Sequence, residues 1–268
     1  MKIKTYFVDA FASQLFKGNP AAVCVLEKWL SEEMLQSIAA ENHLPATAFL
    51  VNKDNKFEIR WFTPEYEIDL CGHGTLATGY VMFNYLYPEL KQIDLHSRHG
   101  LLSVSRDKEY ITLDFPVKPL EDCLHSNLIK NGLGGIPIKS YQYKSERCLV
   151  VFDSEDEVKN IKPNLQTLAE LPYRGIIITA PGRETDFVSR VFYPKKLIWE
   201  DAVTGSSHCL LAPYWSEQLH KTKLYSRQLS QRSGDLFCEL VGDRVFISGT
   251  AVLYLQGIVD VSEQDNIG

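Results

Sequence analysis

The spacing of apolar residues from Ile3 to Asp9 predicts a strand, and Gly18-Asn19-Pro20 marks a turn into the apolar run Ala21 to Leu26. Ser31, followed by Glu33 and the apolar positions Met34, Leu35, Ile38 and Ala39, predicts an N-capped amphipathic helix that ends before Pro45. Strand composition returns at Thr47 to Val51 and Phe57 to Phe62, with Asp54-Asn55 as the hairpin turn and Pro64 closing the second strand. Cys71-Gly72-His73-Gly74-Thr75 then opens a helix of small residues running from Leu76 through about Leu86.

The second half repeats this order. Cys148 to Phe152 reads as a strand, Ser154 to about Leu171 as mostly helix interrupted near Pro163, and Gly175 to Thr179 and Asp186 to Phe192 as strands. Val203-Thr204-Gly205-Ser206 opens another helix through Leu210, Leu211 and Tyr214. Arg60-Trp61-Phe62-Thr63-Pro64 is matched by Arg190-Val191-Phe192-Tyr193-Pro194, and Gly74-Thr75 by Gly205-Ser206, each about 130 residues further on. Duplication into two similar lobes follows as the expectation, an N-terminal lobe over residues 1–120 and a C-terminal lobe over residues 121–268. His96 to Phe115 supplies further strands of the first lobe, and Arg244 to Ile247 and Ala251 to Gln256 are late strands with room to return to it. Asn131-Gly132-Leu133-Gly134-Gly135 is the most flexible stretch near the middle, and Glu263 to Gly268 reads as a loose tail.

Composition narrows the class. Of 268 residues, 45% are hydrophobic and 23% charged, an ordinary globular balance that argues against disorder, collagen-like repeats and a membrane-spanning role. A net charge of -6 repels a nucleic-acid duplex or an anionic membrane, so neither is expected as a partner. The six cysteines form no C-x-x-C pair, which suggests free thiols in a reducing compartment rather than zinc or a thioredoxin-like motif. With no apolar signal-peptide core and no stretch approaching the roughly 18 apolar residues of a membrane helix, a cytoplasmic location is expected. The absence of a G-x-S-x-G elbow, a P-loop and a G-x-G-x-x-G after a strand removes support from serine hydrolysis, nucleotide hydrolysis and Rossmann dinucleotide binding.

Each glycine turn places small residues at a helix start, where first-turn N–H groups lack partners inside the helix. An anion is their natural ligand. Two such starts, in duplicated lobes that face one another across a cleft, would cradle a small carboxylate through Gly72, His73, Gly74 and Thr75 on one side and Thr204, Gly205 and Ser206 on the other. The alternative is that the glycines only allow close packing of strand against helix. Cys71 and His73 read either as a thiolate and a base or, for the cysteine, as a small buried filler. Glu200-Asp201, just ahead of the second turn, is either a solvated loop charge or a source of a proton-transfer group. His96 and His99 lie in a strand-like stretch without a completing Asp or Cys, His208-Cys209 reads as a packing pair, and no metal site is expected.

Gly18-Asn19-Pro20-Ala21-Ala22-Val23, Glu67-Ile68-Asp69-Leu70-Cys71-Gly72-His73-Gly74-Thr75-Leu76-Ala77 and Glu200-Asp201-Ala202-Val203-Thr204-Gly205-Ser206-Ser207-His208 resemble the PhzF-like isomerase family of phenazine biosynthesis. Arg227 to Gly234 and Asp243 to Gly249 extend the resemblance over nearly the whole chain. The resemblance implies an α+β fold of two similar lobes, each a sheet wrapped around a central helix, shared with diaminopimelate epimerases and proline racemases. It implies isomerisation by proton movement without metal or organic cofactor, a homodimer, substrate contact through Gly72, His73, Gly205 and Ser206, and a supporting acid at Asp201. Cys71 fits the first thiol of the related racemases, whereas Ala202 takes the matching position of the second, which disfavours two-thiol racemisation. The family's Ser-Glu-Thr stretch, whose glutamate is the main base, reads Pro45-Ala46-Thr47 here. Loss of a general base is typically worth about 10²- to 10⁴-fold. Two readings follow: an active isomerase in which Asp201, His73 or Cys71 has taken over proton transfer, or a non-catalytic homologue that binds a small carboxylate or serves as a dimeric interaction protein.

Overall fold

Ser31 accepts a hydrogen bond from Met34 N at 3.2 Å and starts the first helix, which stops at His43 in the left-handed region, two residues ahead of Pro45. The structure is a computed structural model describing residues 1–54, 56–123, 125–196 and 198–261. Contacts divide the chain into unit 1, Met1–Asp114 with the residues from Ser248 onward, and unit 2, Phe115–Ile247. The Glu263 to Gly268 tail and Asn55 of the expected hairpin turn lie outside the described residues.

Unit 1 contains β1 (Lys2–Ala10), β2 (Asn19–Leu26), α1 (Glu32–Asn42), β3 (Ala46–Lys53), β4 (Lys56–Phe62), β5 (Glu67–Ile68), α2 (Gly72–Val81), β6 (Gln92–Ser97), β7 (Gly100–Asp107) and β8 (Tyr110–Pro116). β2 runs parallel to β3, β3 antiparallel to β4, and β4 pairs antiparallel with β5 and parallel with β6, which continues antiparallel into β7. One face of this sheet carries Cys24, Leu26, Phe49, Val51 and Phe62 against Met34, Leu35, Ile38 and Ala39 of α1. Side chains alternate along a strand, so the opposite face presents Ala21, Val23, Ala46, Ala48 and Trp61. There α2, buried from Gly72 through Gly79, packs on β1, β2, β3 and β7 as a central helix with no polar side. It begins at Gly72, four residues before the expected Leu76, because Cys71 caps it and the glycine turn becomes its first turn. Its last expected turn, Met82–Leu86, is a π-helical segment.

Unit 2 contains β9 (Glu121–Asp122), α3 (Ser126–Leu133), β10 (Lys139–Tyr143), β11 (Arg147–Val151), α4 (Glu155–Asn160), α5 (Leu165–Ala169), β12 (Gly175–Pro181), β13 (Phe187–Tyr193), β14 (Ile198–Asp201), α6 (His208–Leu219), β15 (Lys223–Gln228), β16 (Gly234–Val241) and β17 (Arg244–Gly249), whose end passes into unit 1. β11 is parallel to β12, β12 antiparallel to β13, and β13 pairs antiparallel with β14 and parallel with β15, which continues antiparallel into β16. This is the pairing sequence of β2 through β7 repeated, with α6 in the place of α2. Cys148, Val150, Phe152, Ile176, Ile178 and Phe192 form its core with Ile129 and Leu133 of α3, Val158 of α4 and Leu168 of α5. The expected helix from Ser154 is split in two around Pro163, with a capping box at Ser154 and Glu157 and a fresh cap at Asn164. The stretch expected to be flexible is instead helical at Gly132, where a Cβ would stand 2.5 Å from Leu168 Cδ2, and Gly134 closes α3 in the left-handed region.

The last strand, β18 (Ala251–Asp260), returns to unit 1 and pairs antiparallel with β1 along its length. The architecture is α+β, two similar units each with a sheet around a central helix. Among the described residues no helix is long and apolar enough to cross a membrane.

Candidate functional site

In unit 1 the site is built where β2 begins and α2 begins. Gly18 turns the chain at φ 65°, a conformation L side chains rarely adopt, and delivers the fully buried Asn19 to the start of β2. Asn19 Nδ2 lies 3.2 Å from His73 Nδ1, so an amide donating there leaves the ring proton of neutral His73 on Nε2. Cys71 Sγ accepts the Gly74 N–H at 3.3 Å, the role of an N-cap. The same sulfur is 3.6 Å from His73 Nδ1 and 3.7 Å from Nε2. Near-equal distances to both nitrogens put the sulfur over the ring rather than in its plane, which suits packing and not an in-line thiol–imidazole pair. Thr75 is buried and its hydroxyl donates to Cys71 O at 2.6 Å, so that hydroxyl is used in closing the turn. Ala46, fully buried, opens β3 beside Ala21, two residues along β2 from Asn19 on the same face.

In unit 2 the chain leaves β14 at Asp201 and enters a helical turn at Gly205–Ser207 that leads directly into α6. Thr204 donates its hydroxyl to Asp201 Oδ2 at 2.5 Å, and Ser207 donates its own to Thr204 O at 2.6 Å. Ser206 is half-buried while Gly205 is buried. The cap of this helical turn is Thr204, as Cys71 is the cap of α2. By that measure the counterpart of Cys71 is Thr204 rather than Ala202, and a hydroxyl stands in place of a second thiol. His208, fully buried against Phe187, has ring nitrogens 3.3 Å from Thr204 O and 2.9 Å from Ser226 Oγ. Burial pushes its pKa down to about 4, so the ring is neutral near pH 7.

Glu200 and Asp201 divide their roles. Glu200 takes Arg190 in a two-point ion pair, Nε to Oε1 at 2.7 Å and Nη2 to Oε2 at 2.9 Å, which leaves Asp201 as the acid of the turn. Unit 1 repeats the device at Arg60 and Glu67, with Nε to Oε1 at 2.7 Å and Nη2 to Oε2 at 2.6 Å. Arg98 adds to it through Glu67 and Glu32. Arg60, Glu67 and Arg98, with Trp61, Asp69 and His99, line a cavity of about 150 Å³. Its guanidinium groups are already committed to carboxylates. His99 reaches Asp69 at 3.0 Å, both exposed, and among the described residues no group of His, Cys, Asp and Glu could hold a metal ion.

Two supports carry no chemical signature in the sequence. Gln228, fully buried at the end of β15, receives the Thr204 N–H at 2.8 Å and donates to Asp201 O at 2.7 Å, clamping the Asp201–Thr204 loop. Ser230 donates to Ala202 O beside it. Asn19 is the other. Both lie within stretches that carried the family resemblance, which was the one signal that marked them.

Residues 8–257 match the PhzC-PhzF family, described as phenazine biosynthesis-like protein. The chain is similar to an uncharacterized isomerase of Pseudomonas aeruginosa, 42% identical over 262 residues that cover 98% of this chain and 100% of the relative. Among solved structures, a phenazine biosynthesis protein of the PhzF family from Enterococcus faecalis aligns at TM-score 0.94 and 44% identity, covering 97% of this chain and 100% of that one. A hydroxyproline epimerase from Agrobacterium vitis, solved with trans-4-hydroxy-L-proline bound, shares the fold at TM-score 0.59 and 10% identity over 96% of this chain and 92% of that one.

Proposed function

The chain belongs to the phenazine biosynthesis-like PhzC-PhzF family, and from that premise we propose that it isomerises a small carboxylate-bearing molecule by moving a proton, without metal or organic cofactor. In this reading the first-turn amides at Gly72 and His73 in unit 1 bind the carboxylate, while the Gly74 amide is held by the Cys71 cap, and Gly205 and Ser206 open the matching turn of unit 2. Asp201 accepts the proton from the carbon next to the carboxylate and delivers it to a second carbon, which returns the side chain to its starting ionisation state. The proton count of the substrate is unchanged. The observation that carries the reading is that each unit holds a side chain able to transfer a proton at its helix-start turn: His73 set by Asn19, and Asp201 set by Thr204 with Gln228 behind the loop. A homodimer and a cytoplasmic site of action belong to the same proposal. The six free cysteines favour the second, and sedimentation velocity tests the first.

One observation favours a non-catalytic reading. Ala46 is a fully buried methyl on the face that carries Asn19, and it offers no proton acceptor where related isomerases place a glutamate. Solvent-deuterium incorporation separates the two. The active reading expects exchange next to the carboxylate of an unsaturated amino acid by the wild type, lost in Asp201→Asn. Exchange by Ala46→Glu alone would establish a binder that lacks its base, and binding without exchange by either protein would remove the isomerase assignment.

A further inference from the structure

We infer that the indole N–H of Trp61 is an additional substrate contact, donating a hydrogen bond to the carboxylate held at the Gly72–Thr75 turn; this rests on the carboxylate reading above. Trp61 is 1% exposed, and its Nε1 has no hydrogen-bond partner. Buried polar groups are almost always paired, so an orphaned donor calls for a specific explanation. Trp29 and Trp215 show the ordinary outcome: their Nε1 groups donate to Glu58 Oε2 at 2.7 Å and to Thr179 Oγ1 at 2.9 Å.

Packing alone does not require the indole. The repeat places Val191 at the corresponding position of unit 2, in Arg190-Val191-Phe192 against Arg60-Trp61-Phe62, so an aliphatic side chain serves there. A phenylalanine at position 61 would fill much of the same space without leaving a donor unmade.

The position of the ring supplies the reason. Trp61 Cδ1, the carbon bonded to Nε1, lies 3.0 Å from the point where a Cβ on Gly74 would stand, and Cys71 Sγ lies 3.0 Å from the same point. The orphaned N–H therefore sits beside the first turn of α2, a helix of 10 residues whose leading amides also point at any anion bound there. The sheet side chains facing it carry no acceptor: Ala48 stands directly opposite Trp61 on β3 and Ile68 on β5, and Ala46 follows on the same face as Ala48. With apolar cross-strand neighbours on both sides, the donor is left for a ligand oxygen. Glycine at position 74 keeps the indole edge and the turn amides close enough to serve one carboxylate. The donor is uncharged and does not titrate, so it would strengthen binding at any pH at which the substrate is ionised.

The test uses the whole chain labelled with ¹⁵N, its tryptophan indole signals assigned by single Trp→Phe substitutions, and two probes, acetate and L-proline, titrated to 50 mM. The Trp61 Nε1–H signal should move downfield and saturate together with the amide signals of Gly72 and His73, and Trp61→Phe should weaken probe binding about tenfold or more. Should that variant not fold, the wild-type titration decides alone. Saturable shifts at the turn amides with an unmoved Trp61 indole would overturn the contact and leave the carboxylate reading standing. No saturable shift at the turns with either probe would overturn both.

Discussion

Acidification should destabilise this protein through one buried histidine. The pKa of His208 is pushed down from 6.5 to about 4 by its removal from water, a difference of roughly 3 kcal/mol at about 1.36 kcal/mol per unit. The unfolded chain takes up this proton near pH 6.5 and the folded chain only near pH 4, so stability is intact above pH 7 and is lost as pH falls between those values. Because carboxylates also titrate at the lower end, the informative quantity is the difference between wild type and His208→Gln in urea unfolding followed by circular dichroism. At pH 7.5 the variant should be less stable by about 1–3 kcal/mol for its lost hydrogen bonds to Ser226 and the Thr204 turn. That gap should shrink by roughly 3 kcal/mol by pH 4, since the variant has no imidazole to charge. A gap that stays constant or widens on acidification would refute the argument.

Gly18→Ala should destabilise the fold and reduce ligand binding together, since its Cβ would stand 2.2 Å from Ala10 O in a left-handed backbone and the strain falls on Asn19 and His73; a thermal melt and a carboxylate titration check both. Gln228→Ala should cost about 2–4 kcal/mol in urea unfolding, because it leaves the Thr204 N–H and Asp201 carbonyl without their partner; a loss below about 0.5 kcal/mol would mean the clamp is dispensable. Cys123 should be the first thiol alkylated by iodoacetamide at pH 6.5, because its contact with Cys148 at 4.0 Å, with help from Tyr173, holds its pKa down to about 5, whereas burial holds Cys24 and Cys209 up at about 11. Peptide mapping by mass spectrometry reads the order, and faster labelling at Cys24 or Cys209 would contradict it.

The duplicated order of elements was legible because each unit punctuates itself with strong local signals: an Arg-x-Phe-x-Pro strand, then a glycine turn at a helix start. The parallel and antiparallel pairings of β2 to β7 and β11 to β16 then follow the same pattern. Counting residues misled at one place. Arg60 and Glu67 are seven residues apart, whereas their counterparts Arg190 and Glu200 are ten apart, so a fixed offset drifts through the longer connection. That drift set Ala202 rather than Thr204 opposite Cys71. The supports of the site were not legible either. Asn19 reaches His73 over 54 positions, where α2 packs on β2, and Gln228 reaches the Asp201 carbonyl over 27, contacts created by tertiary packing, which no local pattern encodes. Trp61 belongs with them, since its sequence marks a strand and only its apolar cross-strand neighbours, Ala48 and Ile68, reveal its unpaired donor.

The return of β18 to β1 also sets an order of events during synthesis. Lys2 is registered against Asp260, and Met1 N donates to Val261 O, so β1 finds this neighbour only after all of unit 2 has been synthesised. Unit 2, continuous from Phe115 to Ile247, needs no such delay and can assemble before β18 is translated. For that interval one long side of β1 is an open strand edge, the kind of surface that recruits another chain. Occupancy by chaperones should therefore be greatest on nascent chains arrested just short of Ala251, and should fall once β18 has emerged.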